Sequence, residues 1–262
     1  MLHHFLDFIE PLTRSLAGWQ LALVVATAFV GGFMRGFVGF GSALVVIMVF
    51  SAIFGPLVAV PVAALLGLPS AFQLLPDALR DSERAFVLPF GAAVFLAAPL
   101  GTYVLVIVDP AHLKIAISLF VLAAVVQLHR GWHPPGPQGH GLLAVTGAAA
   151  GLVQGAAGVG GPLVVTMALA RQGTAESQRG NVIAAVTVLA LSTQIPLWIA
   201  GLFTQQVLVM GLLLLLLYAG GTWAGARFFR GSGQRHFRNA ALVLLAAIGV
   251  VTLALALRDA AG

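Results

Sequence analysis

The sequence contains no cysteine and little charge of either sign. The lack of cysteine excludes disulfide bonds, thiolate metal sites and thiol chemistry. Charged residues make up 8% of the chain and hydrophobic residues 60%, whereas a soluble domain carries about 25% charged residues. Hydrolase motifs such as HExxH and GxSxG are absent as well. These deficits argue against an enzyme and indicate that lipid is the solvent for most of the chain.

Long uncharged runs predict an all-α polytopic membrane protein. About 20 apolar residues cross a bilayer as a helix, so the longer runs must each hold more than one segment. The net charge is +5, but the basic residues flank the apolar runs, which is typical of topology signals rather than of nucleic-acid binding. The uncharged runs are residues 15–34, 36–76, 85–108, 141–170, 180–226 and 239–257.

The chain is predicted to be a duplication of one unit. A shift of 119 positions aligns residues 31–50, GGFMRGFVGFGSALVVIMVF, with residues 150–169, AGLVQGAAGVGGPLVVTMAL. Eight of the twenty aligned positions are identical, and four of these are glycines at the same spacing. Internal similarity of this kind is the sequence signature of repeated structural units.

The two predicted units are residues 15–130 and 141–258, joined by a Pro/Gly-rich linker at 131–140. Each unit consists of a segment broken by glycines, followed by three ordinary helices. In the first unit we expect helices at about 15–35, 41–54, 57–76, 85–107 and 111–129. In the second we expect them at about 141–156, 161–171, 181–200, 206–226 and 238–257.

Two topologies are open for the broken segments: each crosses the bilayer once, or each folds back as a hairpin. Basic residues collect in cytoplasmic loops. Single crossings divide the basic residues outside the spans five to seven between the two faces. Hairpins divide them three to nine, with Arg14, Lys114 and Arg258 on the minor side. We therefore favour hairpins, which insert the units in opposite orientations, the inverted-repeat plan of many secondary transporters. Both topologies place the termini in the periplasm.

The glycine segments are the predicted substrate site. In inverted-repeat transporters, broken helices meet near the midplane, and their N-terminal N–H groups face the substrate. Glycine lets such backbone turn and approach a ligand closely. The alternative interpretation is that these glycines only allow helices to pack closely. The residues assigned to the tips are Gly36, Gly39, Gly41, Ser42, Gly155, Gly158, Gly160 and Gly161.

Arg35 is the most specific single-residue prediction for the substrate site. A cation within the membrane costs at least about 2.5 kcal/mol, so such charges tend to be functional and partnered. No acidic residue lies between positions 11 and 76, so its partner is distant in sequence or is an anionic substrate. The alternative is that Arg35 extends to the headgroups as an anchor. Its counterpart in the second unit is the neutral Gln154, and the matched pair Gln73 and Gln194 is a weaker candidate for anion contact.

The two segments GGFMRGFVGFGSALVV and AGLVQGAAGVGGPLVV resemble the TauE/SafE family, the sulfite-exporter-like permeases. The later stretches PLGTYVLVIVDPAHLKIAISLFVL and AGGTWAGARFFRGSGQRHFRNAALVLL are similar to the third helix, polar turn and final helix of that family. The resemblance implies an anion transporter of the bacterial inner membrane for sulfite, sulfoacetate, other small sulfonates or small carboxylates. This chain departs from the family pattern at Arg35, Ser42 and Ala43.

The predicted function is therefore secondary transport of a small anion, with export of sulfite or a small organosulfonate as the leading interpretation. The alternatives are an anion channel and a non-transporting membrane protein, such as an assembly or enzyme subunit. The expected partners are the anion and the lipid bilayer, with no nucleic acid, metal or cofactor. The sequence leaves open whether the protein forms a homo-oligomer, and it also leaves open the coupling ion.

Overall fold

The computed structural model describes residues 18–130 and 138–231, and these two ranges contain ten α-helices and no strand. The prediction of an all-α membrane protein is confirmed. The helices are α1 (Gly18–Val38), α2 (Ser42–Phe54), α3 (Pro56–Asp81), α4 (Arg84–Ile107), α5 (Pro110–His129), α6 (His140–Ala157), α7 (Gly161–Leu169), α8 (Ala175–Ser192), α9 (Gln194–Ile199) and α10 (Gln205–Gly231). The predicted linker residues 131–137, the predicted helix at 238–257 and both termini lie outside the described residues.

Glycines in left-handed backbone conformation end α1 and α6. Gly39 and Gly41 have φ of 90° and 87°, and Gly158 has φ of 70°. Such φ values cost a side-chain-bearing residue about 1–2 kcal/mol, so glycine is the residue that permits the break. The predicted break points are therefore correct to within a few residues.

Several helix boundaries differ from the sequence prediction: the helix predicted at 181–200 is divided into α8 and α9 at Thr193, and α10 runs to Gly231 rather than to 226. α3 continues to Asp81 although Pro76 was expected to end it, because a proline inside a membrane helix is tolerated when neighbours satisfy the freed carbonyl. α8 begins at Ala175, six residues before the predicted start. The side chain of Thr174 caps this helix by accepting a hydrogen bond from the N–H of Ser177 at 3.3 Å.

Both broken segments fold back as hairpins. In the first, a Cβ placed on Gly31 would lie 3.0 Å from Cγ2 of Val46, so α2 returns along α1. In the second, the side-chain amide of Gln138, just before α6, donates to the carbonyl of Met167 in α7 at 2.8 Å. A continuous helix would separate these pairs by more than 20 Å at about 1.5 Å per residue.

The α3–α4 turn and the α7–α8 connection lie on the same side of the molecule. Nε of Arg171 donates to the Glu83 carboxylate at 3.0 Å, and Asp81 packs directly against Gly180. A single crossing by each broken segment would put residues 81–84 and 171–180 on opposite faces of the membrane. The eight-crossing alternative is therefore incompatible with this structure.

Helices are exchanged between the two halves of the chain. α1 packs most closely on α10, and α6 packs on α4. Glycines bring the backbones into contact along both seams: α1 has Gly32 against Tyr218 and Gly36 against Thr222, whereas α6 has Gly147 against Phe90 and Gly155 against Ala98. Small residues at such seams replace the hydrophobic driving force that is missing in lipid.

The helices run in two opposed sets. Leu65 meets Gly211 and Gln73 meets Ala219, so α3 and α10 are parallel, and the α1–α10 seam adds α1 to this set. α4 is parallel to α8, and the α4–α6 seam adds α6. The two sets are antiparallel, because α3 ends where α8 begins. Each of α1, α3 and α4 thus runs opposite to its predicted counterpart, namely α6, α8 and α10.

The outer surface is apolar, as lipid contact requires. Leu96, Trp198, Ile199 and Leu216 are each more than three-quarters exposed. Six helical segments within the described residues are long and apolar enough to cross a membrane: Gly18–Val38, Pro56–Asp81, Arg84–Ile107, His140–Ala157, Ala175–Ile199 and Gln205–Arg230. The chain is accordingly a multi-pass membrane protein.

Candidate functional site

The two glycine tips meet around a cavity in the interior of the helix bundle. Its volume is about 50 Å³, which is room for a few waters or one small oxyanion. The first half of α3, the second half of α8 and Tyr218 of α10 complete its wall. The polar residues that line it are Arg35, Ser42, Gln154, Thr193 and Tyr218.

Arg35 is 2% exposed and lines this cavity. Its Nη1 donates to the carbonyl of Gly39 at 2.5 Å, and its Nη2 donates to Oγ1 of Thr187 at 3.2 Å. Within residues 18–130 and 138–231, no carboxylate forms an ion pair with this guanidinium. A guanidinium has further N–H groups, so it retains donors for a ligand. The positive charge at the edge of the cavity is therefore buried and has no carboxylate partner among the described residues.

The N-termini of α2 and α7 open onto the same cavity. Gly41 and Gly160 are the N-cap residues, and neither helix has a side-chain cap. The first N–H groups of a helix have no partner within the helix, and its N-terminus carries roughly half a positive charge. Ser42 and Gly161, the first residues of these two helices, both line the cavity. Two helix dipoles thus add to the positive potential set by Arg35.

Gln154 stabilises the turn between α6 and α7, as Arg35 stabilises the turn between α1 and α2. Its Oε1 accepts a hydrogen bond from the N–H of Gly160 at 3.1 Å, across the turn between α6 and α7. Arg35 binds the Gly39 carbonyl across the corresponding turn between α1 and α2. The two counterparts therefore do the same structural work, but only one brings a charge.

Six of the twelve residues predicted from the sequence line the cavity. Gly39 and Gly160 lie beside the cavity, because they are hydrogen-bonded to Arg35 and Gln154. Gly36 and Gly155 lie instead where α1 packs on α10 and α6 packs on α4. For these two glycines the alternative interpretation, that they only allow helices to pack closely, is correct. The six that line the cavity are Arg35, Gly41, Ser42, Gln154, Gly158 and Gly161.

Neither glutamine of the predicted pair lines the cavity. Gln73 is exposed, and its amide is 3.5 Å from the carbonyl of Ala219. Gln194 is half-buried and donates to the carbonyls of Ala64 at 3.2 Å and Ala190 at 2.8 Å. Both amides bind backbone between helices, which is the ordinary use of a polar side chain in a membrane bundle.

Sequence reasoning missed Tyr218 and Thr187. Tyr218 is the only polar side chain between residues 207 and 221, a signal that could have singled it out. Thr187 gave no signal, because a threonine in an apolar helix commonly bonds its own backbone. In the structure Thr187 instead accepts from Arg35 and so fixes the direction of the guanidinium.

A second buried arginine holds the end of α1. Arg179 is paired with Asp77, with 3.0 Å between Nη1 and Oδ2, and it donates to the carbonyls of Gly36 at 2.6 Å and Phe37 at 3.2 Å. Its guanidinium also lies 4.1 Å from the centre of the Phe229 ring. The predicted helices at 161–171 and 181–200 leave Arg179 in the connection between them. Because Asp77 balances its charge, Arg179 is a structural cation, in contrast to Arg35.

The turn residue Glu83 ties the two halves together at this end of the bundle. Its carboxylate accepts from both Arg171 and Asn181, while its own N–H donates to Oδ1 of Asn181 at 2.7 Å. The Arg171 hydrogen bond is the main cause that lowers the pKa of Glu83 below its ordinary value, because it stabilises the ionised form.

The comparisons with known proteins give one match. The model of the family described as "Sulfite exporter TauE/SafE" matches residues 24–252. This range includes both hairpins, the cavity and all six long helices apart from the first residues of α1. No curated protein and no solved structure matches the chain.

Proposed function

The chain belongs to the sulfite exporter TauE/SafE family, and on this basis we propose that it exports sulfite or a small organosulfonate, such as sulfoacetate, across the bacterial cytoplasmic membrane. Family membership makes the protein a membrane transporter rather than an enzyme. The choice of anion and the direction of transport are our proposal.

One observation carries the proposal: Arg35 is buried at the cavity without a carboxylate partner among the described residues. Leaving a charge unpaired in a low-dielectric interior is costly, so a site that keeps one is suited to a ligand of opposite sign. Arginine also presents a planar fork of donors that matches two oxygens of a sulfite or sulfonate group. The anion would lie between Arg35 and the N-termini of α2 and α7.

The arrangement of the helices supports a carrier. The opposed orientation of the two halves fits the inverted-repeat plan, in which one half moves relative to the other around a central site. We place the Glu83 side of the bundle in the cytoplasm, since its connections hold most of the basic residues. The two chain termini are then periplasmic.

The membrane potential is the proposed driving force. Among the described residues, no carboxylate lines the cavity: Asp77 pairs with Arg179, Asp81 pairs with Arg80, and Glu176 lies in the first turn of α8. The cavity therefore has no carboxylate to carry protons. An interior-negative potential of about 100 mV favours exit of one negative charge by roughly 2.3 kcal/mol, about a 50-fold gradient. A divalent anion bound to Arg35 keeps a net negative charge and is still driven outward.

Reconstitution into proteoliposomes tests this function. We expect saturable flux of sulfite or sulfoacetate that follows a clamped potential and shows counterflow. A flux that does not saturate and lacks counterflow would instead indicate an anion channel. Absence of any flux of either anion would contradict the proposed substrate class.

A further inference from the structure

We propose that Tyr218 is a second substrate-binding residue, whose phenol hydroxyl donates a hydrogen bond to the anion held by Arg35. This inference rests on the proposed function and adds to the site a residue that neither glycine segment contains. Tyr218 comes from the middle of α10, in the other half of the chain from Arg35.

The packing of α1 on α10 brings the Tyr218 ring to the cavity. A Cβ on Gly32 would collide with the Tyr218 carbonyl, and one on Gly31 would lie 3.6 Å from Cε2 of the ring. The two adjacent glycines therefore let the backbone of α10 approach α1 and leave space for the ring beside it. The side chain is 3% exposed and lines the cavity together with Arg35 and Ser42.

Two serine side chains lie within interaction range of the Tyr218 phenol. Tyr218 interacts with the side chains of Ser42, at the start of α2, and Ser70, in α3, and it is close enough to Arg35 for a direct electrostatic interaction. Three separate elements thus converge on one hydroxyl. A buried phenol needs a hydrogen-bond partner, and the two serine hydroxyls are placed to supply one.

The direction of these hydrogen bonds follows from counting protons. Ser70 is fully buried, and its hydroxyl donates to the carbonyl of Gly67 at 2.8 Å. A serine hydroxyl has one proton, so Ser70 can only accept from Tyr218. In this proposal, Ser70 accepts the phenol hydrogen bond when the cavity is empty. Rotation about the phenol C–O bond turns the same proton to an anion without moving the ring.

With this arrangement the phenol hydroxyl of Tyr218 has an acceptor both when the cavity is empty and when it holds an anion. A buried donor without a partner costs about 1–3 kcal/mol, so a site that must be both empty and filled needs an alternative acceptor for it. Ser70 is that acceptor. Arg35 then supplies charge while Tyr218 and Ser42 supply directed donors to further oxygens, which favours an anion with several oxygen atoms.

The test compares three variants by calorimetric binding of sulfite and of sulfoacetate to purified full-length protein under anaerobic conditions. Tyr218→Phe removes the hydroxyl and keeps the ring. Ser70→Ala removes only the alternative acceptor, at a residue that does not line the cavity. Tyr103→Phe is the matched control, because Tyr103 is the other tyrosine of the chain and is exposed on the outer surface.

We expect Tyr218→Phe to weaken binding about tenfold or more, as for loss of a hydrogen bond to a charged group, with Tyr103→Phe binding like the parent. Ser70→Ala should bind at least as tightly as the parent, because the empty site then leaves the phenol donor without its alternative acceptor. Circular dichroism and size-exclusion chromatography check that each variant is folded. Parental binding by Tyr218→Phe would overturn the inference and leave the proposed function standing. Equal weakening in Tyr218→Phe and Ser70→Ala would also overturn it, because Tyr218 would then only pack. If the parent binds neither anion, the proposed function fails first.

Discussion

Arg171 donates through Nε to the carboxylate of Glu83 at 3.0 Å, and this bond joins the α7–α8 connection to the α3–α4 turn. The two residues are in different halves of the chain, so their contact fixes how the halves are oriented. Because α4 and α5 cross between these residues, the second broken segment must return to the side from which it enters, as the first does where Gly31 meets Val46. The ion pair is thus direct evidence for the second of the two hairpins that the distribution of basic residues favoured.

Cysteine labelling tests this topology in cells, since the parent has no cysteine. Ser82→Cys and Gln172→Cys should both resist an impermeant maleimide in intact cells and react after permeabilisation. Thr204→Cys, in the connection before α10, should react from outside. Labelling of only one of positions 82 and 172 from outside would contradict the hairpin arrangement.

Stability should depend on pH through Glu83. Its pKa is lowered in the folded state, so it stabilises the fold above its unfolded value of about 4.5. That contribution disappears as the pH falls through the folded-state pKa. We expect the melting temperature of Glu83→Gln to lie below that of the parent at pH 7. The difference should shrink as the pH falls below about 4.5, and a difference that stays constant with pH would contradict the assigned ion pair.

Two aspartates on α3 provide a matched test of the buried ion pair. Asp77 pairs with the buried Arg179, whereas Asp81 pairs with Arg80, whose side chain is 72% exposed. Removing one partner of a buried pair costs about 3–5 kcal/mol, whereas exposed pairs contribute about 0–1 kcal/mol. Asp77→Ala should therefore lower the thermal stability in detergent far more than Asp81→Ala. Similar losses would show that Arg179 is satisfied by carbonyls alone.

The tip conformation can be tested with two left-handed glycines. Gly158 has φ of 70° and borders the cavity, and a Cβ there would collide with Ile47. Gly201 has φ of 68°, and a Cβ there would meet open space. Gly158→Ala and Gly201→Ala share a backbone strain of about 1–2 kcal/mol. We expect only Gly158→Ala to abolish flux in proteoliposomes, and parental flux by this variant would show that the tip merely packs.

The sequence predicted much of the fold, because composition and glycine spacing report on short-range structure. A cation in an apolar run is rare enough to single out Arg35. Gly36 and Gly39 could not be told apart by spacing, although one packs on α10 and the other has φ of 90°. That difference depends on the backbone angles and on which helix packs against each glycine, and a single sequence reports neither of these.

The polar partners of the site were not predictable for a related reason. Tyr218 and Thr187 are far from Arg35 along the chain, and only the exchange of helices between the halves brings them to it. Arg179 and Asp77 are 102 residues apart, and each alone has the appearance of a charge at the end of a helix. Contacts of this range follow from tertiary packing, which local patterns do not determine.

The central claim is that Arg35 holds the anion, and Arg35→Gln is the most suitable variant to test it. Glutamine is the residue found at the equivalent position 154, where it accepts the N–H of Gly160. A glutamine at position 35 can accept a hydrogen bond from the N–H of Gly41 in the same way. We therefore expect the variant to fold although it lacks the positive charge.

Sulfite flux and sulfite binding by Arg35→Gln, compared with the parent in the same proteoliposomes and by calorimetry, are the most direct measurement. We predict a folded protein whose affinity for sulfite is at least about tenfold weaker, because a charge-assisted hydrogen bond is worth about 1.5–3 kcal/mol. A folded Arg35→Gln variant that binds and transports sulfite like the parent would contradict the account.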